Sequence, residues 1–218
     1  MKKAFLMFAV SVLFLQLTYA QKTRAGVMGG ATFSKMSGEL GGNENGYQTK
    51  VGYTIGFLID APINAKFSFA PGLHYVQKGT LQRPPAGTLI TKSYIALRYA
   101  EFNANFIYKA SGTKGNFFAG AGPSIDMNLP SKKGTMIEKD KTETDIVFGK
   151  TIEKDLAGID YGVNLLLGYR LNCGFFASVN YNRGFRDLRP VDASGPEQIN
   201  NSYFGIQIGW LFQNKETK

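Results

Sequence analysis

His74 is the one imidazole in this 218-residue chain, so any histidine-dependent chemistry must pass through it. Ser124 with Asp126 or Asp160 would complete a hydrolytic set, with the serine as nucleophile and a carboxylate orienting the base. No nucleophile elbow or other local signature surrounds Ser124, so the expectation for His74 is a buried polar network rather than catalysis. Asp60, Arg98, Glu101, Asp126, Asp160 and Arg170 are the other ionisable groups that fall on polar faces of strand-like stretches. Unpaired buried charge is costly, so these six and His74 are expected to form an interior network of paired groups. The alternative for the same side chains is a narrow ion path.

No catalytic residue, no cofactor and no metal site is expected. VMGGA and FAGAG lack both the Lys-Ser/Thr ending and the following helix of a phosphate loop. The acidic residues show no EF-hand spacing. The single cysteine, Cys173, excludes cysteine metal clusters and intramolecular disulfides alike.

The elements that must position these groups are strands. Apolar and other residues alternate over Arg24–Ser34, Tyr47–Asp60, Ala65–Lys78, Tyr94–Ala110, Gly115–Leu129, Ala157–Leu171, Gly174–Phe185 and Ser202–Phe212. Period-two alternation places one set of side chains on each face of a strand. Tyr47, Thr49, Val51, Tyr53, Ile55, Phe57 and Ile59 share one face, opposite Lys50, Gly52, Thr54, Gly56, Leu58 and Asp60. In the last stretch Phe204, Ile206, Ile208, Trp210 and Phe212 oppose Tyr203, Gly205, Gln207, Gly209 and Leu211.

The second face is Gly, Ser and Asn with isolated charges, which suits a crowded polar interior better than a watered surface. The apolar face is therefore expected to look outward to lipid. Only a closed sheet can satisfy its backbone groups there, and eight strands enclose room for side chains but little more. Tyr47, Tyr94, Tyr169, Tyr203 and Phe212, near strand ends, are expected to form interfacial girdles.

The connections alternate long and short without exception. Long links follow the first, third, fifth and seventh stretches, and short ones, such as SGTK and the turn at Asn172–Cys173, follow the rest. Outer-membrane barrels carry long external loops on one rim and short periplasmic turns on the other, so both termini are expected on the periplasmic side. The charged stretch KKGTMIEKDKTETDIVFGKTIEKD in the fifth link reads as a solvated hairpin.

The start of the chain, MKKAFLMFAVSVLFLQLTYAQ, has two lysines, an apolar run and a small residue at Ala20. This is the layout of a cleaved secretory signal peptide, residues 1–20, ahead of one domain over 21–218. Removal of Lys2 and Lys3 lowers the net charge from +9 to +7 (two lysines fewer). In an exported chain that excess of basic residues points to anionic lipid head groups, and no nucleic-acid motif accompanies it. Lys132, Lys133, Lys139, Lys141, Arg186 and Arg189 in the long links are candidate contacts for lipopolysaccharide phosphates.

Several segments resemble the PorT-like outer-membrane β-barrel family of Bacteroidota. APGLHYVQKG is similar to that family's third strand, LRYAEFNANFIYK to its Tyr-x-Glu-centred fourth, and FFAGAGPSID to its glycine-rich fifth. IDYGVNLLLGYRL and FFASVNYNRGFRDL resemble its sixth and seventh, and the resemblance spans Arg24 to Phe212. Two departures stand out. Asn103 occupies the place of a proline, and apolar parity shifts from Ile95, Leu97 and Tyr99 to Phe102, Ala104 and Phe106. A β-bulge near Ala100–Glu101 is the expected cause.

The resemblance implies fold and location, and in its best-known member a role in protein secretion. The expectation is thus an all-β chain forming an eight-stranded antiparallel up-and-down transmembrane β-barrel in the outer membrane. It is expected to be non-enzymatic, with loops for surface contact or docking of an envelope protein. A narrow porin-like channel or a secretion component is the alternative. Phe204, Ile206, Ile208, Trp210 and Phe212 form the candidate assembly signal, to be read by the barrel-insertion machinery.

Overall fold

The computed structural model describes residues 23–37, 47–82, 87, 89–137, 140–149, 156–189 and 198–212. The expected signal peptide, its cleavage point, the polar tail and much of the long links lie outside the described residues. Within them are nine strands: β1 (Arg24–Ser37), β2 (Tyr47–Pro62), β3 (Phe67–Gln82), β4 (Ile90–Ser111), β5 (Gly115–Ile137), β6 (Asp140–Asp145), β7 (Ile159–Leu171), β8 (Phe175–Gly184) and β9 (Asn200–Leu211).

Eight of them close a ring. Each pairs antiparallel with its chain neighbours, β5 pairs with β7 across the short β6, and β9 returns to β1. Following paired residues from Gly26 through Leu58, Gly72, Asn103, Ser124 and Gly162 to Gly184, then extending the β8–β9 register by one residue past Arg183–Ser202 to Asn201 and on to Met36, returns to β1 ten residues on (36 less 26). A stagger of that size on eight strands corresponds to a tilt of roughly 40°. The ring leaves no free strand edge, the condition for crossing hydrocarbon.

The outward face is apolar, as the alternation predicts. On β2 Phe57 is 70% exposed while its neighbour Thr54 is 2% and Asp60 3% exposed. Near the short-turn rim, aromatic pairs sit on adjacent strands: Phe67 with Tyr108, Phe117 with Tyr169, and Phe175 with Trp210. A second tier, Tyr53, Tyr75, Tyr161 and Tyr181, lies toward the other rim. On β7, Tyr161 and Tyr169 are eight residues apart, about 20 Å along the axis at a rise of about 3.3 Å and that tilt. Amphipathic rings belong at such borders between hydrocarbon and head groups.

Several expectations need correction. Tyr203 does not join a girdle: it is 2% exposed and points into the ring. No bulge interrupts β4 at Ala100–Glu101, because its register with β3 runs unbroken from Tyr108 to Ser93. The irregularities lie in the pairing with β5, between Ile90 and Lys92 and between Ala96 and Arg98. Ile95, Leu97 and Tyr99 therefore keep the inward parity of Glu101, Asn103 and Asn105, and all six are buried.

What changes along β4 is the interior itself, polar at mid-barrel and apolar near the long-loop mouth. The third link is also shorter than expected, since β3 runs to Gln82 and β4 starts at Ile90. In the fifth link β5 continues to Ile137 and β6 folds back on it, with Lys132 opposite Asp145.

Candidate functional site: a closed polar interior

Six strands aim side chains at the middle of the ring. Lys78, on the inward parity of Val76 and His74, is the centre. Its Nζ lies 2.8 Å from Asp126 Oδ2, 3.1 Å from Glu101 Oε2 and 3.3 Å from Asn182 Oδ1. It also sits 4.7 Å from the centroid of the Tyr203 ring and 5.4 Å from that of Tyr99, close enough for cation–π attraction. The Tyr203 hydroxyl donates to Glu101 Oε1 at 2.9 Å. The register sets His74, Glu101, Asp126 and Asp160 side by side on β3, β4, β5 and β7. Asp160 accepts from the backbone N–H groups of Tyr161 and Arg186.

Below this centre, amides form a chain across the lumen. Asn180 donates to Asn164 at 3.1 Å, Asn164 to Asn105 at 3.1 Å, and Asn105 to Asn103 at 3.0 Å. They line a cavity of about 70 Å³ with His74, Glu101, Asp60 and Arg170. At roughly 10–15 Å³ per water, that space suits a handful of waters and not a solute path. At the short-turn mouth, Asp60 Oδ2 accepts from Arg170 at 2.7 Å, and Lys109 Nζ lies 3.8 Å from Asp60 Oδ1. Lys109 also donates to the Ser68 hydroxyl.

Apolar groups pack toward both ends. Met28, Phe176 and Leu211 cluster with Leu58 and Phe118 near the short-turn mouth. Two glycines make room for those rings: a Cβ on Gly209 would meet Phe176 Cζ at 2.3 Å, and one on Gly168 would meet Phe118 Cζ at 2.4 Å. At the long-loop mouth Ile95, Leu97 and Tyr99 pack with Ile146, Leu156, Leu188 and Ile199 from the links. The link backbones are tied together, Ala157 N–H to Leu188 O and Leu188 N–H to Ile199 O, both at 2.8 Å.

Of the seven residues expected in the interior, Asp60, His74, Glu101, Asp126, Asp160 and Arg170 are there. They fall into two groups, with Asp60 and Arg170 at the short-turn mouth and the others around Lys78. Arg98 is not among them. With β4 parity unbroken it faces outward, and its guanidinium donates to Pro130 O at 3.3 Å. Lys78 was missed although it shares parity with His74, because a lysine at a strand end reads as solvent-facing.

Ser124 bonds Asn182 at 2.8 Å, and no bond joins it to His74, so no nucleophile–base pair forms. Among the described residues no group of three His, Cys, Asp or Glu could hold a metal ion. Phe204, Ile206, Ile208 and Trp210 line the outer face of β9 and Phe212 follows just past its end, each at least 42% exposed.

The long-link cations are partly committed. Lys132 lies 3.7 Å from Glu143, and Arg189 forks onto Asp187 at 2.8 Å. Lys139 and the side chain of Lys141 lie outside the described residues.

A ring faced with apolar side chains and packed with polar ones is a membrane-spanning β-barrel of the outer-membrane type. The chain matches the outer membrane protein beta-barrel domain over residues 19–189, and it belongs to that family. The ring-closing β9 lies beyond the matched residues.

In general build the chain is similar to solved outer-membrane proteins. The attachment invasion locus protein Ail of Yersinia pestis shares 10% identity at a TM-score of 0.44, over 88% of this chain and 99% of Ail. OprG of Pseudomonas aeruginosa shares 12% at 0.45, over 89% and 98%. Neisserial surface protein A shares 13% at 0.42, over 86% and 97%. No curated protein sequence matches the chain.

Proposed function

We propose that this outer-membrane barrel acts through its long-loop rim, as a non-enzymatic surface-contact or docking protein held by an inert wall. The packed interior carries this reading: Lys78 is bonded to groups on three other strands, and apolar clusters stand toward both mouths. The long-loop rim faces outward from the cell and both termini face the periplasm, after removal of residues 1–20 as a leader. The lipid-facing side chains of β9 guide insertion. The PorT-like resemblance makes a secretion-linked partner in the envelope the first to seek. The filled lumen disfavours the porin-like alternative.

The native cysteine tests the orientation. Cys173 is exposed in the short β7–β8 turn and is the single cysteine of the chain. A membrane-impermeant maleimide is expected to leave it unmodified on intact cells and to modify it once the outer membrane is opened. A cysteine placed at Asp187 in a Cys173→Ser background is expected to react on intact cells. Labelling of Cys173 on intact cells would reverse the orientation. Crosslinking from the same rim position, followed by recovery of the barrel alone, would remove the docking role.

A further inference from the structure

The outer face of the seam where β8, β9 and β1 meet carries a layered strip. Arg183 pairs with Ser202 and Ser202 with Lys35, so two cations flank one serine in a single cross-strand row. One outward step nearer the short turns, Tyr181, Phe204 and Phe33 form the next row. Ile206 and Ile208 follow on β9, with the small Ala31 and Gly29 beside them on β1. With strands about 4.8 Å apart, the Cα atoms of Arg183 and Lys35 lie roughly 10 Å apart, within reach of a shared group above Ser202.

Lys35 and Arg183 are exposed, and among the described residues neither has an acidic partner. Two other cations near the long-loop rim are engaged, Arg98 with Pro130 O and Lys132 with Glu143.

We infer that this strip is a binding site for a membrane lipid with a net-negative phosphate headgroup. The phosphate lies between Lys35 and Arg183, and an acyl chain runs down over Phe204 toward Ile206 and Ile208. The inference rests on the reading of the chain as a membrane barrel. The basic row points to a lipid and not to free phosphate because it is continuous with the aromatic and apolar rows beneath it, which only a lipid would cover. Arginine suits a phosphate through paired N–H donors, and lysine through point charge.

Trp210 is the single tryptophan, so a F204W/W210F protein moves the fluorescent reporter to the strip. This protein is folded into phosphatidylcholine vesicles containing brominated-chain phosphatidylglycerol or brominated-chain phosphatidylcholine. At about 1 kcal/mol for each basic residue near an anionic surface, quenching is expected to show roughly a fivefold or greater preference for phosphatidylglycerol. Adding K35Q/R183Q is expected to bring the two lipids to near equality, while K35R/R183K keeps the preference.

Equal quenching in the F204W/W210F protein, or a preference that survives K35Q/R183Q, would overturn the site. Loss of the preference on adding inorganic phosphate at constant ionic strength would reassign it to the free ion and overturn the lipid. Quenching by neither lipid would instead overturn the membrane reading beneath it.

Discussion

Replacing Lys78 by methionine keeps most of the side-chain volume and removes the cation at the centre of the lumen. The ammonium is 2% exposed and lies within 3.1 Å of both Glu101 and Asp126, so the change strands two carboxylates that are each 1% exposed. Removing one partner of a buried ion pair costs about 3–5 kcal/mol, because the other charge stays buried without compensation. Loss of the bond to Asn182 and of the Tyr203 ring contact adds to that figure. Replacing the whole cluster with neutral groups avoids the stranded charge, so K78M/E101Q/D126N is expected to recover most of the loss. Urea unfolding from lipid vesicles, followed by Trp210 fluorescence, measures both. A loss below about 1 kcal/mol for K78M, or a triple variant no better than the single one, would refute the buried ion-pair cluster as the clamp of this barrel.

Ile208 is 57% exposed at mid-band on the outer face of β9, so I208K should cost about 2–4 kcal/mol of membrane stability. Vesicle-folding yield on gels measures it, and an unchanged yield refutes the lipid-facing assignment. Planar-bilayer recordings of the wild-type protein should show no discrete conductance, and regular steps would overturn the packed lumen as a barrier. Asp187 lies in the last long link; burial pushes its carboxyl up, but N–H donors of Ile199 and Arg189 and the Arg189 guanidinium outweigh this and lower it. A depressed native value means the link is stabilised at neutral pH and loosens only as pH falls below about 4, through that value. The Ile199 and Arg189 amide resonances should then titrate together below the ordinary aspartate range; a midpoint at or above about 4, or the same curve in D187N, would refute the contact.

Alternation made most of the wall legible in the sequence. The β2 and β9 faces needed only parity and the contrast between large apolar residues and Gly, Ser and Asn. The interior was legible where its residues differ from lipid-facing ones, as at Asp126 and Asp160. It was not legible where apolar residues turn inward. Ile95, Leu97 and Tyr99 look lipid-facing by composition, yet the links above them supply an apolar cover, so the same parity serves two environments. The misplacement of Arg98 followed from that one substitution of context. Lys78 was hidden for the converse reason, since its partners lie 23 and 48 residues away on β4 and β5 and only the register brings them together. Asn105, Asn164 and Asn180 carry no local motif; their chain exists because three separate strands place them at one height.

A ring of eight strands with this stagger has a bore that side chains fill, so inward positions are constrained in volume and charge by positions on other strands. Gly209 and Gly168 are narrow because Phe176 and Phe118 lean over them, and each carboxylate around Lys78 needs the same ammonium. Such a lumen has no room to evolve a solute path by single substitutions: enlarging it opens a cavity, and charging it leaves an unpaired group. Freedom to vary lies outside the ring, at the long-loop rim and on the lipid-facing border. Lys35 and Arg183, which have no acidic partner among the described residues, stand on that border, where a partner from outside the chain can answer them.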